Sequence, residues 1–459
     1  MGPNERKQMR RHVFSLVTIL LSPVVARGHG LPADPGSVSP LWELKLGIHQ
    51  YSIPTLDRGR IFLTADDTAV QQGGYSPTGG GVLLCVEQAT GRRIWELPSP
   101  RYMEGVKPPF HFDQWRCGIC SRPVVDGDRV FVVGNRGEVL CVDRDSGQVV
   151  WRYNLITELG VVPHDVCGST PMVIADLVFA CTSNGQDDRH KEVPAPLAPT
   201  LVVLDKKTGR LVARDGERIG ERLFHCNWSS PVAAEVNGRP LVMFGGGDGI
   251  LYAFELPSSD RAAGVQVLKR LWSYDCNPPG YRMRDGLPVP CSNSVKMRED
   301  GPSEIIGMPA VDSGRVYVAI GQSPLYGDGQ GCLSCVDAAT GKKVWDSTLV
   351  QRSLATPAIA DGLLYIVDTT GNAHCFDAVT GERCWVHPLG GRTWCASPLV
   401  ADGKVYVSTE SNILWTLKTG RKLEVLSKTR LQSTPITPVA ADGVLYLPMQ
   451  RSLLAVPGK

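Results

Sequence analysis

Short runs of alternating hydrophobic and polar residues recur along the chain, and each pair of runs is separated by a turn. They are clearest in residues 122–133 (RPVVDGDRVFVV), 356–367 (TPAIADGLLYIV) and 397–407 (SPLVADGKVYV). Alternation with a period of two predicts half-buried β-strands. The Asp-Gly pair between the runs predicts a tight hairpin, because glycine accepts the positive φ that such a turn needs. The pattern therefore predicts pairs of antiparallel strands.

A second pattern follows each pair: a strand, a Thr-Gly or Ser-Gly turn, and a strand that carries Trp four residues after the Gly. It occurs at residues 85–95, 141–151, 335–345 and 375–385, and copies without the Trp occur at 203–213 and 416–425. An indole at that position is large enough to wedge between neighbouring sheets. The two patterns together predict repeated four-stranded units, which bury their faces by stacking on one another.

The repeat count predicts the architecture. Eight units begin near Ser52, Ser121, Ser169, Ser229, Gly307, Ala355, Ala396 and Thr437. The last unit ends without a Trp strand, and residues 41–47 (LWELKLG) supply an unassigned one. We therefore predict an all-β, eight-bladed β-propeller of four-stranded antiparallel blades, forming one domain over residues 41–459 and closed by pairing of the N- and C-terminal strands. Seven blades are the alternative, since the copy around 229–275 is degenerate.

These motifs resemble the PQQ-like (tryptophan-docking) propeller repeat family, which includes BamB-like proteins and quinoprotein dehydrogenases. The resemblance implies either a scaffold or a quinoprotein that holds PQQ with calcium, an Asp base, a stacking Trp and a disulfide between adjacent cysteines. Under the second role Trp228 or Trp394 would stack on the quinone, and Asp165 or Asn227 would contact the metal. The sequence has no Cys-Cys pair, so no catalytic set is assigned, and PQQ and calcium are expected only under that alternative.

Connector lengths predict which face of the ring binds a ligand. The excess residues fall between second and third strands (67–80, 184–199, 322–330) and between successive units (99–116, 275–304). Both connector types emerge on the same edge of an up-and-down sheet, so we expect every long loop on one rim. Loops on a rigid scaffold usually carry binding residues, although surface insertions are also tolerated without function.

Aromatic, basic and imidazole side chains precede the innermost strands and are expected at the channel mouth. The predicted ligand-binding residues are Tyr51, Trp115, Arg116, His164, Asp165, His225, Asn227, Trp228, Arg352, Arg392 and Trp394. Such groups suit a planar, anionic or polyhydroxylated ligand. The alternative is structural: the Trp side chains plug the channel, and the Arg and His side chains pair with loop carbonyls.

Cysteine and histidine spacing gives no metal motif, so no metal ligand is predicted. Four histidines (His49, His111, His164, His225) fall on the long-loop rim, and a transition metal bound there alongside Cys167, Cys226 or Cys395 is the less favoured alternative. The residues 187–190 are interpreted as a solvated loop. Of the 14 cysteines, Cys117/Cys120 and Cys276/Cys291 lie in loops where a disulfide is plausible, and the Cys117-Gly-Ile-Cys120 pair favours a local one.

The first 26 residues are typical of a secretory signal peptide, with a basic segment, an apolar core over 13–21 and small residues before a cleavage point. No cysteine precedes Cys85, so no lipid anchor is expected, and no other segment is long enough to span a bilayer. The formal net charge of the whole chain is +2 and that of residues 1–26 is +3, so the remaining residues together are close to neutral. The near-neutral remainder gives no electrostatic case for nucleic-acid binding.

Two functional hypotheses follow. The first is an exported propeller, periplasmic or secreted, that binds a small molecule or a protein partner through its long-loop face. The second is a PQQ- or metal-dependent quinoprotein-type oxidoreductase that acts on alcohols or sugars. The sequence leaves open which of the two applies.

Overall fold

The computed structural model describes residues 30–68, 76–102, 113–260, 264–289, 301–323, 328–394 and 396–458. Eight blades of four antiparallel strands follow one another along the chain; seven pair their strands in sequence order, and the eighth adds the N-terminal strand to the last three. The first strands of these seven blades contact one another in succession, so the innermost strands surround a central channel. The fold is an eight-bladed β-propeller, as predicted.

The first four blades occupy the first half of the chain. Blade 1 is β2 (Thr55–Asp57), β3 (Arg60–Asp66), β4 (Gly81–Glu87) and β5 (Arg93–Ser99). Blade 2 is β6 (Val124–Asp126), β7 (Arg129–Val133), β8 (Glu138–Asp143) and β9 (Val149–Asn154). Blade 3 is β10 (Met172–Ile174), β11 (Leu177–Cys181), β12 (Leu201–Asp205) and β13 (Leu211–Arg214). Blade 4 is β14 (Val232–Val236), β15 (Arg239–Gly245), β16 (Ile250–Glu255) and β18 (Arg270–Asp275).

The second half of the chain forms blades 5 to 8. Blade 5 is β21 (Ala310–Asp312), β22 (Arg315–Ala319), β23 (Leu333–Asp337) and β24 (Lys343–Ser347). Blade 6 is β25 (Ala358–Ala360), β26 (Leu363–Val367), β27 (Asn372–Asp377) and β28 (Arg383–Pro388). Blade 7 is β29 (Leu399–Ala401), β30 (Lys404–Thr409), β31 (Ile413–Lys418) and β32 (Val425–Arg430). Blade 8 is β33 (Val439–Ala441), β34 (Val444–Met449), β35 (Ser452–Pro457) and β1 (Trp42–Lys45).

A few short elements lie outside the blades. They are α1 (Leu155–Leu159), three 3-10 helices (Pro35–Ser37, Ile219–Glu221, Pro279–Tyr281), β17 (Gln266–Val267), β19 (Met283–Arg284) and β20 (Leu287–Pro288). None of the helices in the described ranges is long and apolar enough to cross a bilayer.

The ring closes through the N-terminal strand. β1 pairs antiparallel with β35 over four residues, from Trp42 opposite Ala455 to Lys45 opposite Ser452. The predicted closure is confirmed: the N-terminal strand is the fourth, outermost strand of blade 8 and links the two ends of the chain. The degenerate copy at 229–275 forms a full four-stranded blade, so the seven-blade alternative is wrong.

Tryptophans from the outermost strands dock onto the next blade. A β-carbon added to the turn glycine of the next blade would lie within 2.6 to 2.7 Å of an indole at five junctions: Trp42 on Gly91, Trp95 on Gly147, Trp151 on Gly209, Trp272 on Gly341 and Trp345 on Gly381. Each of these indole N–H groups donates to a backbone carbonyl of the next blade at 2.9 to 3.1 Å. Only glycine leaves room for the indole, which explains why these turns carry glycine at this position.

The connections sort by rim, with one exception. Turns between first and second strands emerge on one rim, and connections between second and third strands emerge on the other. The expectation that every long loop shares one rim is wrong for residues 256–269, which join the third and fourth strands of blade 4. This connection carries β17, which pairs parallel with β13 of blade 3. Its length therefore serves to cover a blade edge.

Candidate functional site in the central channel

The channel contains a cavity of about 830 Å³ on the rim that carries most of the long loops. Its walls come from the loops before the innermost strands and from the first residues of those strands. A recurring position forms a ring around it: the residue before the proline that opens each innermost strand. Six residues at this position line the cavity: Ile53, Arg122, Thr170, Ser230, Met308 and Thr356.

Hydroxyl groups connect this ring across blades. The backbone N–H of Thr170 donates to Oγ of Ser230 at 2.9 Å, and that of Met308 to Oγ1 of Thr356 at 3.1 Å. The N–H of Thr356 donates in turn to Ser397 at 3.0 Å. Each side chain thus satisfies an amide of the preceding blade, so the hydroxyl ring is part of the scaffold.

Arg122 is the one charged residue in the ring. Its Nε donates to Oγ1 of Thr55 at 2.9 Å, and within the described part of the chain it forms no ion pair. Burial lowers the pKa of the Arg122 guanidinium to about 10, so the group remains protonated at neutral pH. A positive charge therefore lines the cavity, and no carboxylate among the described residues is paired with it.

Aromatic rings surround the cavity. Trp115, Trp228, Trp394 and Tyr51 line it, and Trp115 is the most exposed of the indoles, at 57%. Trp228 is fixed by a hydrogen bond from its Nε1 to the carbonyl of Val166 at 3.1 Å. The walls are otherwise largely apolar, as is usual for pockets that hold small organic molecules.

Three histidines meet at one side of the cavity. One ring nitrogen from each of His164, His190 and His225 lies within 4.8 Å of those of the other two. Nε2 of His164 and Nε2 of His225 are 2.9 Å apart. Nδ1 of His164 lies 2.9 Å from the carbonyl oxygen of Gln186; because a carbonyl only accepts, this nitrogen carries the hydrogen. The neutral His164 ring therefore presents a lone pair at Nε2.

The backbone holds the three histidine loops together. Isolated antiparallel bridges join Pro163 to Asn184 and Gly185 to Cys226. A β-carbon on Gly185 would lie 2.6 Å from that of His164, so glycine is needed for this close approach. The loop that carries His190 is thereby pinned over the loop that carries His164.

A buried carboxyl group lies behind the cluster. Glu304 is fully buried; its Oε2 accepts the backbone N–H of Cys226 at 3.2 Å, and its Oε1 lies 3.9 Å from Nδ1 of His225. Burial raises the pKa of Glu304 well above its usual range, and the positive charge of Arg352 opposes this shift. Arg352 is itself fully buried and donates from Nε to Oγ of Ser303 at 3.1 Å.

The structure places the predicted site residues in two groups. Tyr51, Trp115, Asp165, His225, Trp228 and Trp394 line the cavity. The other five lie outside its lining. Arg116 is exposed, whereas His164 and Arg352 are buried, the latter beside Ser303. Asn227 forms hydrogen bonds with the backbone of Asn184 and Gly247. Arg392 forms an ion pair with Asp328 at 3.0 Å.

Sequence reasoning missed Arg122 and His190. Arg122 had a detectable signal, since it alone is charged at a position that is apolar or small in the other copies. His190 had none, because its position depends on how the loop between β11 and β12 folds back over Gly185. Of the other residues named as metal ligand candidates, His111 and Cys395 lie outside the described residues.

The favoured local disulfide is not formed. Cys117 and Cys120 are not joined in a disulfide, and both line the cavity. Cys276 is also free, and Cys291, its suggested partner, lies outside the described residues.

The fold and the docked tryptophans define the class: this is a β-propeller of PQQ-like repeats. The family described as "Outer membrane protein assembly factor BamB" matches residues 79–270, 269–393 and 329–456. The chain belongs to this family of PQQ-repeat propellers. A comparison with curated protein sequences finds no match.

Solved structures share the fold at low sequence identity. BamB from Moraxella catarrhalis has a TM-score of 0.61 and 14% identity, over 91% of this chain and 99% of that one. The quinohemoprotein alcohol dehydrogenase ADHIIG from Pseudomonas putida HK5 has a TM-score of 0.60 and 12% identity, over 94% and 78% of the two chains. A europium-containing methanol dehydrogenase has a TM-score of 0.60 and 12% identity, over 93% and 87%. These similarities concern the fold alone.

Proposed function

We propose that this protein is an exported, ligand-binding propeller whose channel takes a small organic molecule with a planar apolar part and an anionic group. The observation that carries the proposal is the guanidinium of Arg122, which lines a largely apolar, aromatic cavity and is paired with no carboxylate among the described residues. A carboxylate on the ligand would supply the missing counter-charge through a charge-assisted hydrogen bond. The ring walls of Trp115, Trp228 and Trp394 would contact its planar part.

The quinoprotein alternative requires residues that fit PQQ and calcium. Calcium takes about six to eight oxygen ligands, yet the carboxylate that lines the cavity within the described ranges is that of Asp165, next to imidazole nitrogens. PQQ carries several carboxylates, whereas Arg122 is the one Arg or Lys side chain in the described lining. These residues do not fit the calcium-bound quinone, so no quinone-dependent step is assigned to this chain.

The proposal is tested with a matched pair of probes, 2-naphthoate and the neutral 2-naphthalenemethanol, by calorimetry and quenching of tryptophan fluorescence. We expect the carboxylate probe to bind more tightly. Arg122→Met should weaken its binding about 10- to 100-fold, which corresponds to the loss of a hydrogen bond to a charged group, and should leave the neutral probe unaffected. Arg392→Met is the control, since that guanidinium lies outside the cavity lining and pairs with Asp328.

Three results would overturn this assignment. They are absence of naphthoate binding, equal affinity for the two probes, and an Arg122→Met protein that is folded and binds naphthoate as the wild type does. Thermal unfolding of each variant separates a lost binding site from a lost fold.

Export is part of the same proposal and rests on the sequence of residues 1–26. We expect cleavage by signal peptidase, an unlipidated product, and recovery of the protein outside the cytoplasm. Intact mass and N-terminal sequencing of the protein from its native cells check this. Recovery of the full-length chain in the cytoplasm would contradict it. The matching family is described as an outer membrane protein assembly factor, so the competing proposal is that the long-loop rim binds a protein partner.

A further inference from the structure

We infer that the channel wall binds one divalent first-row transition metal ion through His164, His190 and His225. This goes beyond the proposed function, because anion binding at Arg122 needs no metal and each site can be lost without the other. Imidazole nitrogens are the preferred donors for zinc, copper, nickel and iron, whereas calcium and magnesium prefer oxygen. A cluster of three imidazoles therefore selects this class of ion.

The geometry of the buried pair suits coordination. Two imidazole nitrogens bound to one such ion at about 2.0 to 2.1 Å are separated by roughly 2.9 to 3.4 Å when they occupy neighbouring positions. Nε2 of His164 and Nε2 of His225 lie 2.9 Å apart. His190 completes the set from within 4.8 Å, so binding would draw its ring inward. His190 is half-buried on a connecting loop, where such a movement is tolerated.

The surroundings of the cluster match those of metal-binding histidines. Such histidines usually donate their second N–H to a carbonyl or a carboxylate, which fixes the ring and its tautomer. For His164, Nδ1–H donates to the carbonyl oxygen of Gln186 at 2.9 Å. For His225, Oε1 of Glu304 is the nearby carboxyl oxygen, but at 3.9 Å from Nδ1 it lies beyond hydrogen-bond distance. The carboxyl group accepts the backbone N–H of Cys226, and metal binding would have to bring it closer to the ring.

The ion would have a coordination position open to the cavity, since His190 and His225 both line it. Asp165 stands at this opening: its Oδ1 lies 3.6 Å from Nε2 of His164 and accepts a hydrogen bond from Nε1 of Trp115 at 3.1 Å. Three protein ligands with an accessible further position are the arrangement of metal sites that bind exchangeable ligands. The carboxylate of Asp165 or a small molecule in the channel would occupy that position.

The test uses the full-length protein, stripped with EDTA, dialysed under reducing conditions and titrated with Co²⁺ and Zn²⁺. We expect one Co²⁺ per chain with visible ligand-field bands, displacement by Zn²⁺, and a rise in melting temperature that grows with metal concentration. Cu²⁺ should give an electron paramagnetic resonance spectrum with nitrogen hyperfine structure. Ca²⁺ should produce none of these effects.

Variants separate this site from other donors. His190→Ala removes a half-buried side chain, so the protein should stay folded. Its Co²⁺ affinity should fall by at least the roughly 10- to 100-fold that loss of an outer-shell partner costs, because a ligand itself is removed. His387→Gln, a half-buried histidine on blade 6, is the control and should bind Co²⁺ as the wild type does. Cys117→Ser/Cys120→Ser should also keep the site; these two residues are the thiols of the cavity lining and would be competing soft ligands.

Two outcomes would overturn the assignment. One is a folded wild-type protein that takes up no Co²⁺ at millimolar concentration. The other is a thiolate-to-cobalt charge-transfer band that disappears in the double cysteine variant while His190→Ala retains full affinity. Naphthoate binding by metal-free protein tests the Arg122 site separately, so failure of one proposal does not conceal failure of the other.

Discussion

At the residue scale, the Gly-to-Trp contact is the unit that joins one blade to the next. Gly147 has φ +74°, and a β-carbon there would lie 2.7 Å from the indole of Trp95. Gly127, in the hairpin at the start of the same blade, has a similar φ of +63° and nothing within 4 Å of the same position. Both glycines therefore have a positive φ, but only at Gly147 would a side chain collide with a neighbouring residue.

This pair gives a matched test of the docking contact. Gly127→Ala should cost about 1 kcal/mol in the free energy of unfolding, from the left-handed backbone alone. Gly147→Ala should lower the free energy of unfolding by about 1 to 3 kcal/mol more than Gly127→Ala does, because the methyl group displaces the indole of Trp95. Urea denaturation measures both variants. Equal losses would show that the indole contact contributes little to joining the blades.

At the element scale, the sequence predicts strands and their closure because the determinants are local or repeated. Alternation identifies each strand, turn glycines separate them, and the unmatched Trp strand at 41–47 identifies the partner of β35. The loops follow no such rule. The 256–269 connection on the opposite rim and the inward fold of the loop carrying His190 depend on contacts with other blades, which no local pattern in those segments encodes. The same reason explains why Arg392 and Arg352, although before innermost strands, lie outside the cavity lining.

The closing strand supplies a test at this scale. Leu44 is buried at the junction of blades 8 and 1, whereas the adjacent Lys45 is exposed. Leu44→Ala should lower the free energy of unfolding by about 2 to 4 kcal/mol, through lost burial and the cavity it leaves. Lys45→Ala should change it by less than about 0.5 kcal/mol. If neither variant changed the free energy of unfolding, β1 would not contribute to a closed ring in solution.

At the scale of the whole molecule, the same hydrogen bond from a backbone N–H to an aspartate carboxylate recurs in several blades. Asp143, Asp337 and Asp377, at the turns before the outermost strands, each accept a backbone N–H from the Ser or Thr three residues on. The pKa of Asp143 is lowered chiefly by the Ser146 hydroxyl and that of Asp337 by the Thr340 hydroxyl. The Arg421 side chain lowers the pKa of Asp377 to about 2.

These three pKa values lie below that of an aspartate in the unfolded chain, which is about 3.9. On acidification the carboxylates of the unfolded chain are therefore protonated before those of the folded protein. Their stabilising effect is thus complete above about pH 5 and is lost as the pH falls through 4 towards about 2. A variant with Asp143→Asn, Asp337→Asn and Asp377→Asn keeps an acceptor oxygen at each turn and cannot titrate there. We expect the wild type to exceed it in urea midpoint by a constant margin above about pH 5, and this margin should shrink between about pH 4 and 2. Asp361→Asn, in a hairpin turn where no hydrogen bond to the carboxylate is found among the described residues, controls for the loss of charge alone. A margin that does not change with pH would mean that these turns add no acid sensitivity, and that any acid unfolding of the ring starts elsewhere.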